Sequence, residues 1–149
     1  MPLDPSHAGH AYPRSEIYEV GRAKIQEFAD AIGDPNPVYR DVEAAKAFGH
    51  PDVIAPPTFP TILFGRYSMR SLVEDERLGL DYDRMVHGDM SFRYERPVRA
   101  GDRLTVVTRI ERIMHRAGND FLDLSVEVDT DGGERVVVAG AQLVVRGAP

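Results

Sequence analysis

From Val86 to Val145 the chain reads as strand after strand, and that run decides what the first half can pack against. Val86, Met90, Phe92 and Tyr94 alternate with His87, Asp89, Ser91, Arg93 and Glu95, the period-two pattern of a strand with one buried face. Residues 97–102 make a turn, and 104–113, rich in Val, Thr and Ile, make the next strand. Beyond Asn119, Leu122, Leu124, Val126 and Val128 share a face. Asp131-Gly132-Gly133 is a hairpin signal, and 136–139 with 143–145, apolar on both faces, read as a central strand.

The first half is helical instead. Ile25, Phe28, Ala29 and Ile32 recur at helical spacing, and Gly33 stops that helix. A second short helix is expected over 41–48, with Asp41 as N-cap, Ala44, Ala45 and Phe48 facing inward and Gly49 ending it. Thr58 is the expected N-cap of the longest helix, with Pro60 tolerated in its first turn. Phe59, Ile62, Leu63, Tyr67, Leu72 and Val73 give that helix a stripe broad enough to be wrapped by other structure. Residues 74–83 read as a charged loop and 17–20 as a short strand, with 1–13 a tail or loosely packed arm before a single domain over 14–149. Helices first and long antiparallel strands after define an α+β class.

Several function classes are excluded early. A net charge of −6 argues against nucleic acid as the main partner. No run of 18 apolar residues exists and the N-terminus carries no apolar signal core, so no membrane span is expected and a cytoplasmic protein is the simplest reading. With no cysteine there is no thiol catalysis and no disulfide. No two of the five histidines have metal-ligand spacing with a carboxylate, so no metal is expected.

The stretch that carries chemistry is 28–39. After Gly33, two prolines within four residues forbid regular structure and hold Asp34, Asn36 and Tyr39 in fixed relation. Gly33-Asp34-Pro35-Asn36-Pro37-Val38 resembles the hydratase motif Gly-Asp-x-Asn-Pro-x-His of MaoC-type dehydratases, the (R)-specific enoyl-thioester hydratases of the hotdog fold. In that family the Asp and His hold the water that is added or removed. Here Asp34 keeps the Asp position and Tyr39 stands where the His belongs. Tyr18-Glu19-Val20, 54–59 and 92–102 are similar to the actinobacterial branch, which includes the HadA and HadC subunits that lack the catalytic pair and work beside a HadB-type partner. The resemblance implies an antiparallel sheet curled around a long central helix. It also implies a turn in which Gly101 takes a positive φ and Asp102 caps it. The expected ligand is an acyl thioester of coenzyme A or acyl carrier protein, with no cofactor, bound by a homodimer or by a heterodimer with a catalytic hotdog subunit.

Syn hydration needs a base for the water, an acid for the α-carbon and donors for the enolate-like oxygen. A His titrates near neutrality, whereas only roughly one free phenol in a thousand is ionised at pH 7. The resemblance also places a backbone N–H of the central helix's first turn against the thioester oxygen, and here Pro56 and Pro57 occupy that place without an N–H. The Thr58 N–H is the remaining donor. The candidate set is Asp34 and Tyr39 for catalysis, and Asn36, Pro57, Thr58, Phe59 and His87 for substrate. Asp34 is either half of a water-binding pair or an Asx-turn acceptor, and Asn36 either fixes the loop or meets substrate. Tyr39 is either a wall of the acyl tunnel or a packed residue. His50 and His87 are the imidazoles available to replace the missing one. The readings that follow are an active dehydratase using Asp34 with a substitute base, a silent subunit that shapes the acyl tunnel, and a hotdog thioesterase.

Overall fold

The computed structural model describes residues 2–147. One antiparallel sheet contains β1 (Tyr18–Glu19), β2 (Met85–Tyr94), β3 (Arg103–Arg116), β4 (Asn119–Thr130) and β5 (Arg135–Val145). Their order is β1-β3-β4-β5-β2, so β4 is central and β2 ends the sheet on one side. Leu122, Leu124, Val126 and Val128 of β4 and Val137, Ala139, Ala141 and Leu143 of β5 point into one core, as the alternation requires.

Against that inner face lies the central helix, residues 61–74. Thr61–Leu63 and Met69–Glu74 are α-helical, and Phe64–Ser68 between them is one wide π turn. Leu63, Phe64, Tyr67, Met69 and Leu72 are buried by the sheet that curls about it. Ser68 is buried as well, and its hydroxyl shares a 2.8 Å hydrogen bond with that of Thr108, which satisfies both groups and pins helix to β3. Val73, expected in the apolar stripe, is 46% exposed near the helix end. Thr58 is not the N-cap. The helix starts three residues later behind Pro60, and the Thr58 carbonyl accepts from both the N–H and the hydroxyl of Thr61.

Of three register shifts among the described strands, two bear on the alternation read from the sequence. In β3 the register shifts between Ile110 and Arg112, which keeps Ile113 inward after Leu104, Val106, Thr108 and Ile110. In β2 it shifts between His87 and Asp89, at Gly88. Met90, Phe92 and Tyr94 therefore pack against the core as expected, but Val86 turns out to solvent at 43% exposure. His87 lies with the inward set, its ring edge-on to Phe64 at 5.7 Å. The sequence alternation had placed it on the opposite face, because a bulge is invisible to a period-two count.

The helices of the first half are α1 (Arg22–Ala31) and α2 (Val42–Ala47). Ile25 and Ala29 of α1 are fully buried, while Ile32, beyond the last turn, is 48% exposed. Asp41 caps α2 by accepting the Glu43 N–H at 2.9 Å, and Ala45 faces in. Phe48 does not; it is 76% exposed one residue past the helix. The stretch 1–13, expected as a tail or loose arm, packs closely over its described part. Leu3 and Tyr12 are buried, and the N–H groups of Gly9, Tyr12 and Ser15 donate to Ile110, Thr108 and Val106 of β3. β1 covers only two residues of β3, and the arm supplies the partners that the rest of this edge lacks. Among the described residues no helix is long and apolar enough to cross a membrane.

Candidate functional site

The loop after α1 is built by its own side chains. Gly33 takes φ +70°, and the Asp34 N–H returns to the Ala29 carbonyl at 2.9 Å. Asp34 Oδ1 accepts the Asn36 N–H, and Asn36 Oδ1 accepts the Val38 N–H, both at 3.1 Å. The second bond caps the 3-10 turn Pro37–Tyr39. Arg40, which the sequence did not single out, ties the loop down: its guanidinium donates to Asp30 at 2.6 Å and to the Asp34 carbonyl.

The turn carries Tyr39 inward, leaving it 7% exposed. Burial, followed by the charge of the neighbouring Asp34 carboxylate and hydrogen bonding to it, raises the Tyr39 pKa above that of a free phenol. The phenol therefore stays neutral at physiological pH and is a poor general base. Its hydroxyl has no hydrogen bond of ordinary geometry to Asp34, but it is not sealed off either, since the one buried side-chain polar atom without a partner among the described residues is His7 Nδ1.

Tyr39 forms one wall of an apolar cavity of about 260 Å³, together with Ile54, Ala55, Pro57, Tyr94 and Pro97. Tyr94 reaches in from β2 and its hydroxyl donates to the Pro57 carbonyl at 2.5 Å. Burial, and secondarily the nearby Tyr39, push its pKa far up, so this phenol is neutral as well. The remaining wall is a fixed turn. Gly101 takes φ +89°. The Asp102 carboxylate accepts two 2.9 Å bonds from Arg96 and a third from the Arg99 N–H. The turn then grips the strand-like segment before the central helix: Ala55 N–H donates to Val98 at 2.7 Å and Ala100 N–H to Val53 at 3.0 Å.

The expected site residues divide accordingly. Asp34 and Tyr39 lie side by side, and Pro57 faces Tyr39 across the cavity. Asn36 is exposed and spends its side chain on the loop backbone. Thr58 is exposed at the rim, its N–H without a hydrogen bond among the described residues. Phe59 presents nothing to a ligand; it is fully buried, edge-on to Phe28 at 5.5 Å. His87 belongs to a separate groove with Phe64, Met69, Met85 and Met90. It sits seven residues from Tyr94 on one strand, about 20 Å at the usual strand rise. None of the described histidines hydrogen-bonds Asp34, and the His50 N–H closes the end of α2 on Ala45. Tyr94, Ile54, Ala55 and Pro97 were missed as site residues. The inward parity of Tyr94 was the available signal, whereas the turn that brings Pro97 to Tyr39 is a tertiary fact.

Taken together, the site can enclose a short apolar group beside two neutral phenols and one carboxylate, and it offers no imidazole. Residues 6–139 match a family model described as the FAS1-like dehydratase domain region. The chain is 57% identical over 148 residues to a UPF0336 protein of Streptomyces coelicolor, covering 99% of this chain and 98% of that one. It superposes with a TM-score of 0.84 on a chain of the Mycobacterium tuberculosis HadBC (3R-hydroxyacyl-ACP dehydratase) complex, at 29% identity over 97% of this chain and 99% of that one. A MaoC-like dehydratase gives 0.83 at 30% identity, over 96% of this chain and 43% of the other. The curled five-stranded sheet, its central helix and these relatives agree: the chain belongs to the MaoC-like dehydratase family of the hotdog fold.

Proposed function

We propose that this chain binds an acyl thioester, of coenzyme A or of acyl carrier protein, as the non-catalytic half of a (3R)-hydroxyacyl dehydratase or enoyl hydratase in cytoplasmic fatty-acyl metabolism. The observation that carries the reading is the pairing of Asp34 with a buried neutral phenol, Tyr39, at the position where the hydratase loop has its imidazole. Asp34 and Tyr39 then shape and polarise the acyl site rather than move protons through it. Pro57 supports the same conclusion, because a proline on the cavity wall removes an N–H that would face a developing oxyanion. One such donor is worth on the order of 100- to 1,000-fold in rate.

A partner is part of the proposal. Among the described residues β2 pairs only with β5, so its outer edge presents unpaired backbone groups along the strand that also carries Tyr94. A second hotdog subunit, either another copy or one with an intact Asp/His pair, would cover that edge. One similar structure, HadBC, is itself a complex.

The test is crotonyl-CoA hydration by the purified chain, followed by loss of the enoyl absorbance. The expected result is no turnover above background, and none gained or lost in Asp34→Ala. Turnover abolished by Asp34→Ala would overturn the silent-subunit reading in favour of an active hydratase. Release of free thiol without hydration would make the protein a thioesterase. Copurification from the native host should bring down a hotdog subunit that carries the Asp/His motif.

A further inference from the structure

Both sides of this sheet end in a strand that could take on another, yet the chain leaves only one of them open. On the β3 side, β1 pairs with Leu104 and Arg103 alone. Further along β3 the arm does the pairing. The Ser15 N–H donates to the Val106 carbonyl, and Ser15 Oγ accepts the Val106 N–H, both at 2.9 Å. The Tyr12 N–H donates to the Thr108 carbonyl at 2.8 Å. The Ile110 carbonyl accepts from Gly9 at 2.7 Å, and the Ile110 N–H donates to His10 at 2.9 Å. The arm is also anchored off the sheet. Leu3 is buried and its N–H donates to Asp120 Oδ2, while the buried Tyr12 donates its hydroxyl to Asp75 Oδ2 beyond the central helix, both at 2.9 Å.

The strand directions show what this seating prevents. β3 is antiparallel to β4, β4 to β5 and β5 to β2, so β2 runs opposite to β3. A second copy set beside the first without being turned over would bring its own β2 antiparallel to β3, the better of the two pairings. That contact is head-to-tail: each added copy offers a fresh edge, and the series has no natural end. With the arm on β3 this contact is blocked. The β2 edge can still meet a second β2 across a two-fold axis, and that contact closes at two copies. We propose that the arm, residues 3–15, is an assembly stop: seated along Val106–Ile110, it denies the β3 edge to the β2 strand of a second copy and so prevents open-ended growth of the sheet. The proposal rests on the sheet alone, and its failure would leave the acyl-thioester reading standing.

The experiment is size-exclusion chromatography with light scattering on the full chain over a wide concentration range. The wild-type protein should keep one mass throughout. Tyr12→Glu removes a buried ring and sets a second carboxylate against Asp75, which should free the arm. It should add a ladder of larger species that grows with concentration. The ladder should vanish when Ser91→Lys, an edge lysine on the exposed side of β2, is combined with it, and when a synthetic peptide of residues 2–16 is supplied in trans. Amide exchange checks the state of each variant: Val106 and Ile110, whose acceptors lie on the arm, should exchange at least about tenfold faster, while the β4 and β5 core stays protected. Leu3→Ala combined with Tyr12→Phe loses two anchors but keeps the ring, and it carries the same comparison should Tyr12→Glu lose its core protection. A folded variant with a freed arm that keeps the wild-type mass at every concentration would overturn the proposal. So would larger species that persist with both Ser91→Lys and the peptide.

Discussion

Breaking the Asp102–Arg96 pair from either side should be costly, because the Asp102 carboxylate ties the turn beside the cavity together. It accepts three hydrogen bonds of 2.9 Å, two from Arg96 and one from the Arg99 N–H. Both partners are largely out of water, with side-chain exposures of 15% for Arg96 and 7% for Asp102. Breaking a buried pair from one side costs about 3–5 kcal/mol, mainly through the charge left behind. In Asp102→Ala the stranded guanidinium still has Glu134 at 2.6 Å and the Pro97 carbonyl at 2.9 Å, so the low end applies, about 3 kcal/mol. In Arg96→Met the stranded carboxylate keeps only the Arg99 N–H, and about 4 kcal/mol is expected. For a chain of this size each kcal/mol moves the thermal midpoint roughly 2–4 °C, so Asp102→Ala should fall by about 6–12 °C. Circular dichroism melts of both singles and the double mutant measure this. The double should cost no more than Arg96→Met alone, because it leaves neither member of the pair stranded. A shift below about 2 °C in Asp102→Ala, or strict additivity in the double, would refute the idea that this pair holds the turn.

Other expectations follow from the same coordinates. Burial raises the pKa of Tyr12 and of Tyr94, so an unfolded chain releases these protons near pH 10 while the folded one keeps them. Stability should therefore hold up to about pH 10 and decline above it, and in urea titrations Tyr12→Phe should flatten that alkaline decline. Leu3→Ala, at 2% exposure in the arm, should cost about 2 kcal/mol or more, whereas Phe48→Ser, at 76% exposure, should stay within about 0.5 kcal/mol. Equal melts for these two would contradict the seated arm. Asn36→Ala should lose about 1 kcal/mol with its cap, and no ligand affinity beyond that. Tyr39→His should not produce hydration within 100-fold of a relative that has both the pair and the amide, because Pro57 still lacks the N–H.

The sheet was legible because its strands are long and one face of each is apolar. Leu122, Leu124, Val126 and Val128 could hardly point elsewhere. What escaped was anything that depends on a break in period. The Gly88 bulge exchanged the faces of Val86 and His87; a lone glycine in a strand hints at a bulge, but a period-two count runs straight through it. The arm escaped for a different reason: its buried residues Leu3 and Tyr12 are too far apart to form a pattern, and the edge of β3 that they cover becomes visible only after folding. At the candidate site, Asp34 and Tyr39 were singled out by the resemblance of their proline-braced loop to the hydratase motif, and the structure sets the two side by side. Tyr94 and Pro97 were not, since β2 and the turn after it reach Tyr39 through the grip of Val98 and Ala100 on Val53 and Ala55.

The two departures from the hydratase motif that the sequence resembles differ in kind, and on the proposed reading the difference bears on what this chain can still do. A missing imidazole can in principle be lent by a neighbour, because proton transfer needs only a group within hydrogen-bond reach. A missing N–H at Pro57 cannot be lent so easily, because it belongs to the backbone that forms the wall itself. The Pro57 carbonyl moreover accepts the Tyr94 hydroxyl at 2.5 Å, so both groups are committed to each other within the wall. Both changes leave the apolar volume in place. On the proposed reading, the apolar wall still encloses an acyl group while the proton transfers belong to another subunit, so Tyr39→His alone should not restore hydration.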